Sequence, residues 1–158
     1  MVASVTDTAR SYDGKCLCGA VRFRFVEPLG GVAHCHCSMC REAHGAPFVT
    51  WVVTFAERFE IVAGRDDLHW HASSQEAERG FCGRCGSTMF FRSSLCPGEI
   101  HVTRANVDTD LSLDPGSHVF WDEHVSWIEA DASLPRVTID EPGLERYKNR
   151  VDYRPPDE

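Results

Sequence analysis

No run of apolar residues in this chain approaches the 18 or so that cross a bilayer, and the opening stretch MVASVTDTARSYDGKC lacks the apolar core of a secretion signal. A cytoplasmic protein that does not enter a membrane is therefore expected. Positive charge is also scarce: 16 Lys plus Arg, scattered singly, stand against 24 Asp plus Glu, for a net charge of -8. Such a surface repels a phosphate backbone, so nucleic acid is not an expected partner. Internal repeats and low-complexity tracts are missing too. What remains, 158 residues with 42% hydrophobic and 25% charged, suits one ordered domain large enough to bury a core without covalent staples.

Cysteine, by contrast, is abundant, with eight in the chain. In a reducing compartment thiols at this density are metal ligands or catalytic groups rather than disulfide partners. Residues 1–13 are polar and aperiodic, and residues 140–158 are rich in charge and proline, so both read as extensions around a folded domain at 14–139. Inside that span the apolar residues fall in short alternating or β-branched runs at 20–26, 47–55, 59–63, 68–72, 87–92, 99–105, 118–121 and 126–130. Gly30-Gly31, Gly64, Pro97-Gly98 and Pro115-Gly116 mark turns between them. A mainly β, antiparallel architecture follows. The only helical stretch is short, with Ser38 as the predicted cap and Gly45 ending it. In the first run Val21, Phe23 and Phe25 alternate with Arg22 and Arg24, which predicts a strand with one face on the core.

Seven of the cysteines form clusters: Cys16 with Cys18, then Cys35, Cys37 and Cys40, then Cys82 with Cys85; Cys96 stands apart. Zinc takes four tetrahedral ligands, and thiolates two or three positions apart reach one ion from a single turn. Gly19, Gly83 and Gly86 let the backbone fold tightly beside the first and third clusters. Two pairs make a closed structural zinc site from Cys16, Cys18, Cys82 and Cys85. The middle cluster supplies Cys35, Cys37 and Cys40 to a second zinc with an open fourth position, the mark of a catalytic centre. Closure of that position by Cys96, His36 or His44 is the alternative, and would make both zincs structural.

The segments GKCLCGAVRF (14–23), CHCSMCR (35–41) and FCGRCGS (81–87) together resemble the glutathione-dependent formaldehyde-activating enzyme family, a likeness extending over about residues 14–135. The resemblance implies a β-tent fold of antiparallel sheets, a structural zinc at Cys16, Cys18, Cys82 and Cys85, and a catalytic zinc at Cys35, Cys37 and Cys40. It also implies a carbon-sulfur lyase that condenses glutathione, or a related thiol, with formaldehyde or another small aldehyde to S-(hydroxymethyl)glutathione or its analogue. Related domains occur in centromere protein V.

A zinc carrying three thiolates is a weak activator of water but suits a thiol, whose proton is lost on coordination. Glutathione sulfur is thus the expected fourth ligand. It would attack the aldehyde carbon while a nearby acid protonates the oxygen. His36 and His44 lie beside the loop, whereas His69, His71, His101 and His118 read as structural strand residues; Arg41 is the guanidinium nearest the open site. Phe48, Trp51, Phe90 and Phe91 read as core more than pocket wall. Two other classes of function compete: a non-catalytic zinc-stabilised thiol carrier or protein-binding module, and a methionine-sulfoxide reductase that would rely on Cys96. RSSLCPGE around Cys96 offers no adjacent base.

Overall fold

The computed structural model describes residues 9–149; residues 1–8 and 150–158, parts of the two expected extensions, lie outside the described residues. A three-stranded antiparallel sheet is built from β1 (Ser11–Lys15), β2 (Arg22–Val26) and β5 (Phe59–Ala63), in the order β1-β2-β5. The larger sheet contains β3 (Gly31–Cys35), β4 (Val49–Phe55), β6 (Leu68–Ala72), β7 (Ala77–Cys82), β8 (Thr88–Ser93), β9 (Glu99–Thr103), β10 (His118–Val119) and β11 (Arg136–Val137). Its order is β11-β10-β3-β4-β9-β8-β7-β6. The mainly β expectation holds, and the pairing is antiparallel except at β10, which runs parallel to both β3 and β11.

In β2 the alternation places Phe23 and Phe25 wholly inside and leaves Arg22 and Arg24 exposed, with Arg24 Nε on the Asp13 carboxylate at 2.8 Å. Phe23 meets Phe90 of the large sheet edge-on at 5.0 Å, and Phe59 meets the same ring at 5.2 Å. Tyr12 on β1 is also fully buried, so the core draws on a residue ahead of position 14.

The same period of two divides the large sheet. Val32, Val52, Val102 and Phe90 are in register across β3, β4, β9 and β8 and face the small sheet as core. Their neighbours Ala33, Trp51, Val53, His101 and Phe91 on the same strands, with Arg79 of β7 paired to Phe91, face the opposite side, where they line a cavity. One face makes the fold and the other makes the site.

Helix α1 (Ser38–His44) follows β3. Its cap is Cys37 rather than Ser38, because the Cys37 sulfur accepts from the Cys40 N–H at 3.4 Å; Gly45 closes the helix in the left-handed conformation at φ 58°. The strand expected over 126–130 is not formed: the segment bends with Trp127 70% exposed, since alternation gives it no neighbouring edge to pair with. No helix among the described residues is long and apolar enough to cross a membrane.

Candidate metal centres

Four sulfurs converge where the end of β1 meets the β7–β8 turn. The thiols of Cys16, Cys18, Cys82 and Cys85 lie within 4.8 Å of one another, with Cys16 to Cys18 at 3.5 Å and Cys18 to Cys82 at 3.9 Å. Tetrahedral zinc with 2.3 Å bonds to sulfur spaces its ligands by about 3.8 Å, so the four fit one ion, whereas a disulfide would need about 2.05 Å. Two matching turns produce this convergence. Gly19 and Gly86 both adopt φ 76°, where a side chain would be strained, and Gly19 N–H and Gly86 N–H donate to the Cys16 and Cys82 carbonyls. The backbone also points at sulfur, with Val21 N–H donating to Cys16 at 3.3 Å. Ser87 Oγ accepts from Leu17 N–H at 2.9 Å and joins the two turns directly. Hydrogen bonds from the Ser87 hydroxyl and backbone hold Cys85 down to about 5, an anionic sulfur ready for a cation.

Cys35, Cys37 and Cys40 also lie within 4.8 Å of one another, and all three are buried. β3 delivers Cys35, the first turn of α1 delivers Cys37 and Cys40, and β10 fixes the loop by accepting His36 N–H at the Val119 carbonyl, 3.0 Å away. Hydrogen bonds from Cys35 and Cys37 hold Cys40 far below the ordinary thiol range, helped by Arg79; the same contacts push Cys35 far up. One negative charge is therefore accommodated by protein alone, and all three thiols ionise together only around a cation. This soft, dehydrated donor set fits zinc.

Arg79 is a candidate site residue that the sequence reading did not single out. It is 5% exposed on β7, its Nη2 donates to the Cys40 sulfur at 3.6 Å, and its guanidinium lies 5.3 Å from the Phe91 ring centroid. A buried cation against the thiol cluster offsets the excess negative charge of three thiolates around a dication. Its signal in the sequence was an arginine in a strand just ahead of a Cys-x-x-Cys turn.

The remaining histidines and Arg41 separate cleanly. His36 turns to His118, Nε2 to Nδ1 at 2.8 Å, and His118 reaches the Asp131 carbonyl at 3.0 Å. Burial first, then the neighbouring His118, pushes His36 down to about 4, so it is a neutral ring near pH 7. His44 packs edge-on to Trp51 at 5.4 Å, and Arg41 Nε donates to the His36 carbonyl at 3.0 Å as a brace for the loop. Cys96 sits with Glu99 and His101 instead of with the three-cysteine group.

That group opens on a cavity of about 190 Å³. Its walls include Trp51, Phe91, Val119 and Phe120, with Arg79 and His101 among the polar groups; of the aromatics read as core, Phe90 is in the core between the sheets, while Trp51, in the second buried cluster, and Phe91, packed against it, also face the cavity. Phe120, at φ 56° and buried, holds a left-handed conformation costing of order 1–3 kcal/mol for a bulky residue. Leu144, Arg146 and Tyr147 complete the wall, with Phe120 and Tyr147 in edge contact at 5.6 Å.

Residues 11–123 match the family model described as glutathione-dependent formaldehyde-activating enzyme. A Halomonas elongata protein named for glutathione-dependent formaldehyde activation is 31% identical over 131 residues, 76% of this chain and 81% of that protein. An uncharacterized lyase of Schizosaccharomyces pombe is 34% identical over 80 residues, 51% of this chain and 56% of that protein. A crystal structure of a Rhodobacter sphaeroides protein superposes with a TM-score of 0.53 at 26% identity, covering 63% of this chain and 91% of that one.

Proposed function

Starting from the fact that the chain belongs to the glutathione-dependent formaldehyde-activating enzyme family, we propose that it is a zinc-dependent carbon-sulfur lyase joining glutathione, or a related small thiol, to formaldehyde or another small aldehyde. The observation that carries this reading is the set of three buried thiols opening on a largely apolar cavity, with no fourth His, Cys, Asp or Glu grouped with them among the described residues.

Cys16, Cys18, Cys82 and Cys85 would hold a structural zinc, and Cys35, Cys37 and Cys40 a catalytic one, two ions per chain. When bound at the second set, zinc supplies a soft Lewis-acid position that favours ionisation of an incoming thiol. The chain's own residues do the rest. Arg79 balances the charge of the cysteine cluster, so that an additional anionic sulfur is admitted at lower cost. Trp51, Phe91, Val119 and Phe120 exclude water from the approach to it. About 190 Å³ accommodates the sulfur-bearing end of a thiol and a one- or two-carbon aldehyde, smaller than the roughly 300–1,000 Å³ of drug-sized pockets. The bulk of a tripeptide then lies at the mouth. In the condensation the thiol sulfur forms a bond to the carbonyl carbon, the π pair moves to oxygen, and the proton from the thiol ends on that oxygen. His36 is a poor donor for it, being neutral and engaged with His118.

The addition proceeds unaided in water, so the test is a rate and not a yield. Two-dimensional NMR exchange between glutathione and its hydroxymethyl adduct is expected to speed up on adding the zinc-loaded chain at catalytic concentration. Glutathione binding without faster exchange would leave the thiol-carrier reading in its place.

A further inference from the structure

We propose that Cys96 is a second nucleophilic centre of this chain, a thiol served by His101 and Glu99 that adds to the carbonyl carbon of a small aldehyde entering the cavity. The identity of the electrophile rests on the reading above; the nucleophile does not. The Cys96 sulfur, a Glu99 carboxylate oxygen and a His101 ring nitrogen all lie within 4.8 Å of one another. Glu99 Oε2 stands 2.7 Å from His101 Nε2. A thiol beside an imidazole that is itself bonded to a carboxylate is the arrangement that activates a cysteine: the ring carries the proton and the carboxylate orients the ring.

The chain folds this way because the Pro97-Gly98 turn reverses the strand direction between β8 and β9. Cys96 lies before the turn, while Glu99 and His101, two apart on β9, share one face. That face is the cavity face. Cys96 itself is only 3% exposed, but Leu95, His101 and Tyr147, which flank it, line the cavity wall. Bulk water is thereby kept from the sulfur, and the proposed route for a small electrophile runs from the cavity past these three wall residues. Burial pushes His101 down, yet the neighbouring Cys96 and the bonded Glu99 outweigh this and lift it to about 9. A ring that holds its proton and already donates to Glu99 is poorly disposed to bind a metal, which separates this trio from the two cysteine groups.

The step is redox-neutral. As the C–S bond forms to the carbonyl carbon the π pair moves to oxygen, that oxygen takes the proton His101 already holds, and the proton from the breaking S–H bond of Cys96 replaces it on the ring. The product is a hemithioacetal, which releases the aldehyde by the reverse path. Cys96 would thus store aldehyde behind the wall of the cavity on which the three-cysteine group opens.

The test labels the zinc-loaded full chain with iodoacetamide near neutral pH and follows each cysteine by peptide mass spectrometry, beside the free peptide RSSLCPGE. Cys96 is expected to react about tenfold faster than the peptide, and His101→Gln to bring it to the peptide's rate or below. With carbon-13 formaldehyde, a hemithioacetal resonance is expected in the wild type and not in Cys96→Ser; thermal unfolding of both variants verifies that they fold. Labelling no faster than the peptide, labelling indifferent to His101→Gln, or uptake of an additional zinc that protects Cys96 would each overturn the proposal. Labelling requires neither glutathione nor turnover. Its failure beside intact exchange activity therefore defeats this inference alone, and its success beside absent exchange activity defeats only the lyase reading.

Discussion

Cys82→Ser is expected to lower the unfolding temperature by roughly 10 °C or more, and a strong chelator to abolish cooperative unfolding altogether. The Cys18 and Cys82 sulfurs, 3.9 Å apart, come from positions 64 residues apart in sequence. A metal held there fastens the end of β1 in the small sheet to the β7–β8 turn in the large one. Structural zinc sites contribute apparent free energies of about 10–16 kcal/mol, against roughly 5–15 kcal/mol for the net stability of a whole domain. Losing one of four ligands forfeits only part of that. Even about 3 kcal/mol corresponds to a shift of roughly 10 °C for a domain of this size. Circular dichroism during heating, with and without chelator, measures both effects. An unchanged transition in Cys82→Ser would mean that hydrophobic contacts such as Phe23 on Phe90 hold the two sheets without help.

The contrasting substitution is Cys37→Ser, expected to abolish accelerated exchange and to lose one zinc while unfolding close to the wild-type temperature. Cys37 lies on the cavity side of the large sheet, away from the core between the sheets, and its partners Cys35, at the end of β3, and Cys40, in α1, are only five positions apart in sequence. Removing it takes away a ligand and also the helix cap it provides to Cys40 N–H, worth about 1 kcal/mol. Arg79→Met acts on the same site from outside. It keeps the packing stem over Phe91 and removes the charge beside Cys40, for an expected loss of about 10- to 100-fold in zinc affinity there. Competition with a chelating dye reads this directly, and an undiminished affinity would remove Arg79 from the site.

Much of this was legible in the sequence because cysteine spacing and strand alternation are local signals. The runs at 59–63 and 68–72 form strands at those same residues, and Phe23 and Phe25 face the core as their period requires. The spacings of the seven clustered cysteines already grouped them as the folded chain does. Signals that depend on a partner were not legible. β7 was missed because Gly80 interrupts its apolar pattern and Arg79, a charged residue, is buried; the reason for that burial is Cys40, 39 positions away. Strand β3 was missed because its short run mixes small and polar residues and is completed by β4 and β10 on its two sides. The 126–130 run fails in the opposite direction, with alternation present and no edge to receive it. Cys96 shows the same limit in the site. No base lies beside it in RSSLCPGE except across the turn, where Glu99 and His101 return on the next strand. His101, read as structural, proves to line the cavity, whereas Trp51 and Phe91 are distinguished from Phe90 only by which face of the sheet each occupies.

Zinc stoichiometry combined with zinc-edge X-ray absorption, with and without glutathione, tests the central claim most directly. Two zincs per chain are expected, one surrounded by four sulfurs under both conditions and one that gains a sulfur neighbour only when glutathione is added, with the second ion lost or altered in Cys37→Ser. Two sites of four sulfurs each, indifferent to glutathione, would contradict an open thiol-binding centre and leave a domain in which metal serves the fold alone.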